Sequence, residues 1–125
     1  MFIFNSVIFL IKTAGVEKKY SWFKIAGEEK DIHFQSNNMA IVLVNGKVIS
    51  VGKHKDILYA FAHQCPHAGG IMAEGWIDVK GNVVCPVHGY RFNMENGRNV
   101  TGEEYSLKHW PVERRQDGIY VAMEM

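Results

Sequence analysis

Six histidines and two cysteines are the residues of this 125-residue chain with the most specific chemistry. Four of them fall in two short segments, Cys65-Pro66-His67-Ala68-Gly69-Gly70 and Cys85-Pro86-Val87-His88-Gly89-Tyr90. Each segment offers one thiolate and one imidazole within four residues, and seventeen residues separate His67 from Cys85. Thiolate and imidazole are the side chains that bind soft and borderline metal ions. A proline after each cysteine presets a turn, while Gly69, Gly70 and Gly89 let backbone N–H groups approach whatever the loops surround. Such donors suit buried sulfur, which needs hydrogen bonds.

Two cysteines are too few for an all-thiolate iron–sulfur cluster or a four-cysteine zinc site within one chain, so further ligands must be histidines. Composition leaves a structural zinc on two Cys and two His open. Zinc knuckles, however, favour Cys-X2-Cys or His-X3-His over the one-residue spacer between Cys65 and His67. A Cys65–Cys85 disulfide would leave the twin Cys-Pro and His-Gly contexts without a purpose. His33, His54, His63 and His109 read as ordinary surface or strand residues, with His63 two residues before Cys65.

The pattern Cys-X-His, seventeen residues, Cys-X2-His resembles the Rieske iron–sulfur proteins, in which two cysteines hold one iron of a 2Fe-2S cluster and two histidines hold the other. A looser likeness to soluble Rieske-type ferredoxins runs through Ile57-Leu58-Tyr59-Ala60, Glu74-Gly75 and Trp110-Pro111-Val112. The resemblance implies one Rieske 2Fe-2S cluster, with Cys65 and Cys85 on the inner iron and His67 and His88 on the outer one. It implies a one-electron carrier of low potential, the ferredoxin component of an oxygenase system. The alternatives are a small Rieske subunit of a nitrite-reductase-like enzyme or a zinc-stabilised interaction module. The partners implied are a flavin reductase, an oxygenase or a reductase large subunit. Respiratory members carry a further cysteine in each loop; this chain has none, which fits the ferredoxin branch and a reducing cytoplasm. The stretch Val100-Thr101-Gly102-Glu103-Glu104-Tyr105-Ser106 stands where the family's covering loop often contains proline. Tyr90 and Phe92 occupy the positions where high-potential members place Ser and Tyr hydroxyls on cluster and ligand sulfur. Ile71, Met72, Val87 and Tyr90 make an apolar tip in which Glu74 and Arg91 are the only formal charges, and no residues for substrate chemistry are visible.

The elements that must position these loops read as strands. Apolar residues make up 47% of the chain and charged residues 22%, the composition of one globular domain. A net charge of +1 with interspersed signs leaves no footprint for nucleic acid. From Tyr20 onward apolar residues recur at strand period, predicting an all-β chain: an antiparallel β sandwich or barrel with a small cluster-binding subdomain of two loops. The expected strands are Ser21 to Ala26, Met39 to Val44, Lys47 to Val51, Ile57 to Phe61, Trp76 to Val79, Asn82 to Cys85, Lys108 to Glu113 and Ile119 to Met123. Asn45-Gly46 is the strongest hairpin signal, and Lys80-Gly81, Asn96-Gly97 and Asp117-Gly118 repeat it. Glu28 to Phe34 is the only helix-like stretch. Trp22, Trp76 and Trp110 read as core or half-buried strand residues. The apolar run from Phe2 to Ile11 is too short for a membrane span, which needs about 20 residues. Its first positive charge, Lys12, follows the run instead of preceding it, so the run reads as an accessory strand and not as a signal peptide. Residues 1–19 are thus an N-terminal extension of unknown role, available for self-association, and residues 20–125 the Rieske domain.

Overall fold

Short alternating runs and tight turns build three antiparallel sheets in the computed structural model, which describes residues 9–13 and 16–124. The first sheet has the order β1 (Phe9–Thr13), β2 (Val16–Ala26), β11 (Gly118–Glu124), β10 (Val112–Arg115). The second has the order β3 (Met39–Val44), β4 (Lys47–His54), β5 (Ile57–Ala62), β9 (His109–Trp110). The third is small: β6 (Trp76–Ile77), β7 (Asn82–Val84), β8 (Arg91–Asn93). At the β3–β4 hairpin Asn45 and Gly46 have φ of 50° and 76°, the paired left-handed conformation that the Asn-Gly signal predicts. Lys55 and Asp56 adopt φ of 50° and 65° between β4 and β5 without any glycine, a hairpin that carries no such signal.

Several boundaries differ from the sequence reading for identifiable reasons. The single strand expected over Lys108 to Glu113 breaks at Pro111, which has no N–H, into β9 and β10 on different sheets. The strand expected from Trp76 ends at Ile77, because Asp78 begins the turn into β7. Strand β8 was not expected; its three residues are too few to show a period. Glu28 to Phe34 contains one 3-10 turn, Glu29–Asp31, in which the Asp31 carboxylate accepts the Glu28 N–H at 3.2 Å. Strand β1 pairs with β2 from Phe9↔Tyr20 to Thr13↔Val16, so this part of the accessory strand packs on the domain. Residues 1–8 lie outside the described residues. Among the described residues no helix is long and apolar enough to cross a membrane.

The second sheet is a wall shared by two cores. On one face Val44, Ile49, Ala60 and Trp110 pack with Val121 and Met123 of the first sheet. On the other, Met39 and Phe61 pack with Met72, Ala73, Val83, Phe92, Met94, Leu107 and both cysteines. Period-two alternation makes this possible, each strand sending successive side chains to opposite faces. Gly52 lies where the small subdomain presses on the wall: a Cβ there would stand 2.8 Å from Met94 Sδ and 3.1 Å from the Phe61 ring.

Residues 63–107 form that subdomain as an insertion between β5 and β9. Its neck is closed by the Ala62 N–H donating to Lys108 C=O at 2.8 Å and by the Phe61↔His109 pairing. The segment before β3 ties it down from outside. Asn37 Nδ2 donates to the carbonyls of Ala73 (2.8 Å) and Gly75 (3.0 Å), and Gln35 Nε2 donates to Ala73 C=O at 3.1 Å. Within it, the Asp78 carboxylate accepts the N–H groups of Lys80 and Asn82, Asn82 Nδ2 and Arg91 Nη1, which joins the β6–β7 turn to β8. Burial alone would raise the Asp78 carboxyl, but the bonds from Asn82, Arg91 and Lys80 outweigh it and hold the group down at about 2. A lowered carboxyl stabilises the fold at every pH above its ordinary value of 3.8, and that contribution disappears as pH falls through about 2. Asp78→Asn is therefore expected to lower stability to urea near neutral pH by about 2 kcal/mol, a deficit that narrows toward pH 2. Equal urea midpoints for the variant and the parent at neutral pH would contradict this role.

Candidate metal centre

Two loops with the same hydrogen-bond pattern form the outer end of the subdomain. In the first, flanked by the Gln64↔Ile71 bridge, the Cys65 N–H donates to Gly70 C=O at 2.7 Å and the Gly69 N–H to Cys65 C=O at 2.9 Å. In the second, flanked by Val84↔Arg91, the Cys85 N–H donates to Tyr90 C=O at 2.9 Å and the Gly89 N–H to Cys85 C=O at 3.0 Å. Gly69 and Gly89 have φ of 76° and 74°, a region closed to most side chains, which is why each loop carries glycine four residues after its cysteine.

Turned this way, the loops set both cysteines inward. Cys65 and Cys85 are buried and unbridged, and belong to one core cluster. Burial pushes the Cys65 thiol up, the N–H groups of His67 and Ala68 pull it down, and the adjacent Cys85 raises it again. Gly70 makes the close approach possible: a Cβ there would stand 2.6 Å from Val87 Cγ2 and 2.8 Å from Cys85 Sγ. The imidazoles are nearer the surface, His67 half-buried and His88 exposed, with ring centroids 4.9 Å apart. All four residues singled out by spacing are thus brought together. His33, His54 and His109 are not: His33 is exposed, His54 packs on Gly81, and His109 lies on β9 near Gly97. His63 is half-buried beneath the first loop, its carbonyl accepting the Met72 N–H.

Chemically the donors form two pairs, thiols within and imidazoles without. Among the described residues no three His, Cys, Asp or Glu side chains converge as the ligands of a single ion would. A tetrahedral zinc asks four donors to meet at one point, whereas a dinuclear cluster asks for two protein donors per iron. The arrangement fits the second, and the loop N–H groups at Cys65 fit the sulfur such a cluster brings.

Sequence reasoning names Tyr90 at the tip and Tyr105 in the covering loop but misses that both rings meet His67. Tyr90 stacks on His67 at 4.5 Å with a 22° tilt, and Tyr105 stands 5.3 Å from the same imidazole. Tyr105 shows how the stretch from Val100 to Ser106 covers the site without proline. Its loop is shaped by Asn99 Oδ1, which accepts the N–H groups of Thr101 (2.8 Å) and Glu103 (3.1 Å) and the Thr101 hydroxyl (3.1 Å). Two expectations need correction. Met72, expected at the apolar tip, is fully buried under it, since its 3-10 turn packs on β3 and β4; Val87 is 53% exposed and takes that place. Trp76, expected in or near the core, is 48% exposed on a two-residue strand with no layer outside it.

Comparison with known proteins agrees with this geometry. Human apoptosis-inducing factor 3 is 35% identical over 78 residues, 61% of this chain, but the chain spans only 12% of that protein's length. The ferredoxin component of the naphthalene 1,2-dioxygenase/salicylate 5-hydroxylase systems of Ralstonia sp is 29% identical over 84 residues, covering 66% of this chain and 80% of that protein. Among solved structures, a chain from the complex of reduced oxygenase and oxidised ferredoxin in carbazole 1,9a-dioxygenase superposes with a TM-score of 0.68 at 27% identity. That superposition covers 81% of this chain and 92% of that one. The sequence also matches the Rieske [2Fe-2S] domain over residues 21–111. Since that match takes in both loops and most of the sandwich that carries them, the chain belongs to the Rieske [2Fe-2S] domain family, and one 2Fe-2S cluster is its cofactor.

Proposed function

We propose that the unit from residue 20 onward is a one-electron carrier whose cluster is held by Cys65 and Cys85 on the inner iron and by His67 and His88 on the outer iron. Residues 1–19 are an extension of it. The observation that carries this reading is the combination of two buried cysteines in one core cluster with two imidazoles of the same loops that stand ring to ring nearer the surface. When bound, the cluster supplies reversible one-electron chemistry. The chain keeps the sulfurs out of water, supplies N–H donors to Cys65, and presents His88 at the surface. Uncrosslinked thiols suit a reducing compartment such as the cytoplasm.

The environment of the sulfurs sets the potential. A hydroxyl donating to cluster or ligand sulfur stabilises the electron-richer reduced form. Phe92, fully buried in the same core as both cysteines, has none. Tyr90 lays its ring on His67, and partial burial followed by Glu103 and Tyr105 raises its hydroxyl above the usual tyrosine value, so the ring is a neutral phenol. A potential near the low end of the family range, roughly -200 to 0 mV, follows. Such a carrier suits delivery of electrons to an oxygenase, as the ferredoxin component of a multi-protein system. The partner meets a tip made by exposed Val87 and His88, since electron-transfer encounters are small and need few apolar contacts.

The ligand set is tested first by Cys65→Ser. The parent protein is expected to contain two irons and two acid-labile sulfides per chain, and the variant to lose both together with thermal stability, because cluster binding is linked to folding of the loops. Colourless parent protein with stoichiometric zinc after iron-replete anaerobic expression would end this reading. Voltammetry tests the potential. Phe92→Tyr is expected to raise the midpoint by about 60 to 130 mV, the equivalent of one added hydrogen bond of about 1.5 to 3 kcal/mol. A parent midpoint above about +150 mV, inside the upper part of the family range, would contradict the argument. For the partner, Val87→Glu is expected to slow reduction or oxidation by the native redox protein while leaving the visible spectrum unchanged. An unchanged rate would move the contact elsewhere, and capture of a large nitrite-reductase-like subunit would favour the role of a resident small subunit over that of a shuttle.

A further inference from the structure

The matching hydrogen-bond pattern puts Gly70 and Tyr90 at the same place in their loops, each accepting the N–H of its own cysteine. What they do for the opposite loop is different. Tyr90 reaches across to lie on the His67 imidazole, nearly parallel, and Tyr105 approaches the same imidazole from another direction, its ring centroid 5.3 Å from that of His67 and 6.1 Å from that of Tyr90. Gly70 offers nothing across the gap, and the space beside it is already filled by Val87 and Cys85 Sγ. Among the described residues His88 therefore has no stacked neighbour; its ring contacts there are an edge with His67 and a tilted ring of Tyr90 at 6.3 Å.

We infer that Tyr90, with Tyr105 as a second ring beside the same imidazole, is a positioning residue that fixes the plane of His67 and limits its contact with water. His88 is then the more open of the two imidazoles to water and to a partner. This rests on the ligand assignment proposed above and adds that the two imidazoles are unequal. A flat ring is what the contact requires, since the geometry is stacking and the phenol hydroxyl plays no part in it. The first loop could not be built the other way round, because any side chain at position 70 would collide with Val87 and with the sulfur of Cys85.

Pulsed electron paramagnetic resonance on the reduced holoprotein, with isotopically labelled histidine and with heavy water as solvent, reads both halves of the inference. The parent is expected to give two imidazole nitrogen couplings, and Tyr90→Phe to reproduce them. Tyr90→Ser is expected to shift or broaden one coupling, keep the other, and raise the deuterium modulation from solvent near the cluster. Tyr105→Ala, at an exposed residue on a loop held independently by Asn99, is expected to raise the deuterium modulation and leave both nitrogen couplings in place. It carries the test if Tyr90→Ser does not assemble. Couplings and deuterium modulation identical to the parent in Tyr105→Ala and in any assembled Tyr90→Ser would overturn the inference, as would equal shifts of both couplings. A parent protein with no imidazole coupling would overturn the ligand assignment and this inference with it.

Discussion

Cys65 and Cys85 are 4% and 2% exposed in one core cluster, and the loop end of the molecule is organised around keeping two sulfur donors out of water. Buried thiolates are costly without positive charge or hydrogen-bond donors nearby. A cluster bound there would supply the first, and the N–H groups of His67 and Ala68 supply part of the second. The Cys85 sulfur and Val87 fill the space where a side chain at position 70 would go, which explains why Gly70 has none, and each loop turns through a left-handed glycine. The imidazoles then have only one direction left, outward.

Sheets of two or three residues per strand do not stand alone in water. The subdomain borrows its stability from the β3–β4–β5 wall, through Phe61 and Met39 against Met94 and Leu107, and through the Asn37 and Gln35 amides that seize the carbonyls at 73 and 75. Because both ends of the insertion meet at the Ala62–Lys108 hydrogen bond, the loops are held like the tip of a long hairpin. The sandwich can thus be read as the mount and the insertion as the instrument. Strand β1, outside the region matched to the family, extends the first sheet, on which the cluster does not rest.

How much of this was legible in the sequence depended on distance along the chain. The ligand segments and the Asn45-Gly46 turn are local, so residue type and spacing reveal them. The break at Pro111 follows from the missing N–H, yet the apolar run around it hides the break. The hairpin at Lys55-Asp56 shows nothing, because its left-handed pair is imposed by the β4–β5 register. Met72 reads as a tip residue until the packing of its 3-10 turn on the sheet is known, and Trp76 reads as core until the outer face of β6 is found empty. Tyr105 was the least legible. It lies far along the chain from His67, and only the Asn99-centred loop brings the two together. The same asparagine, in a pattern that resembles a glycosylation acceptor, spends its side-chain oxygen on that loop.

The absent hydroxyl at Phe92 and the ring of Tyr90 on His67 point the same way: this chain leaves sulfur to backbone N–H donors without a hydroxyl at position 92, and uses the Tyr90 ring for geometry. On the proposed ligand assignment, an added electron would belong on the iron held by His67 and His88 and not on the one held by the buried cysteines. Mössbauer spectroscopy of reduced protein enriched in the active iron isotope tests this division directly. Two inequivalent irons are expected, one ferric in a sulfur environment and one ferrous with the larger isomer shift of nitrogen ligation. A single kind of iron site, or two irons that share the added electron equally, would contradict it.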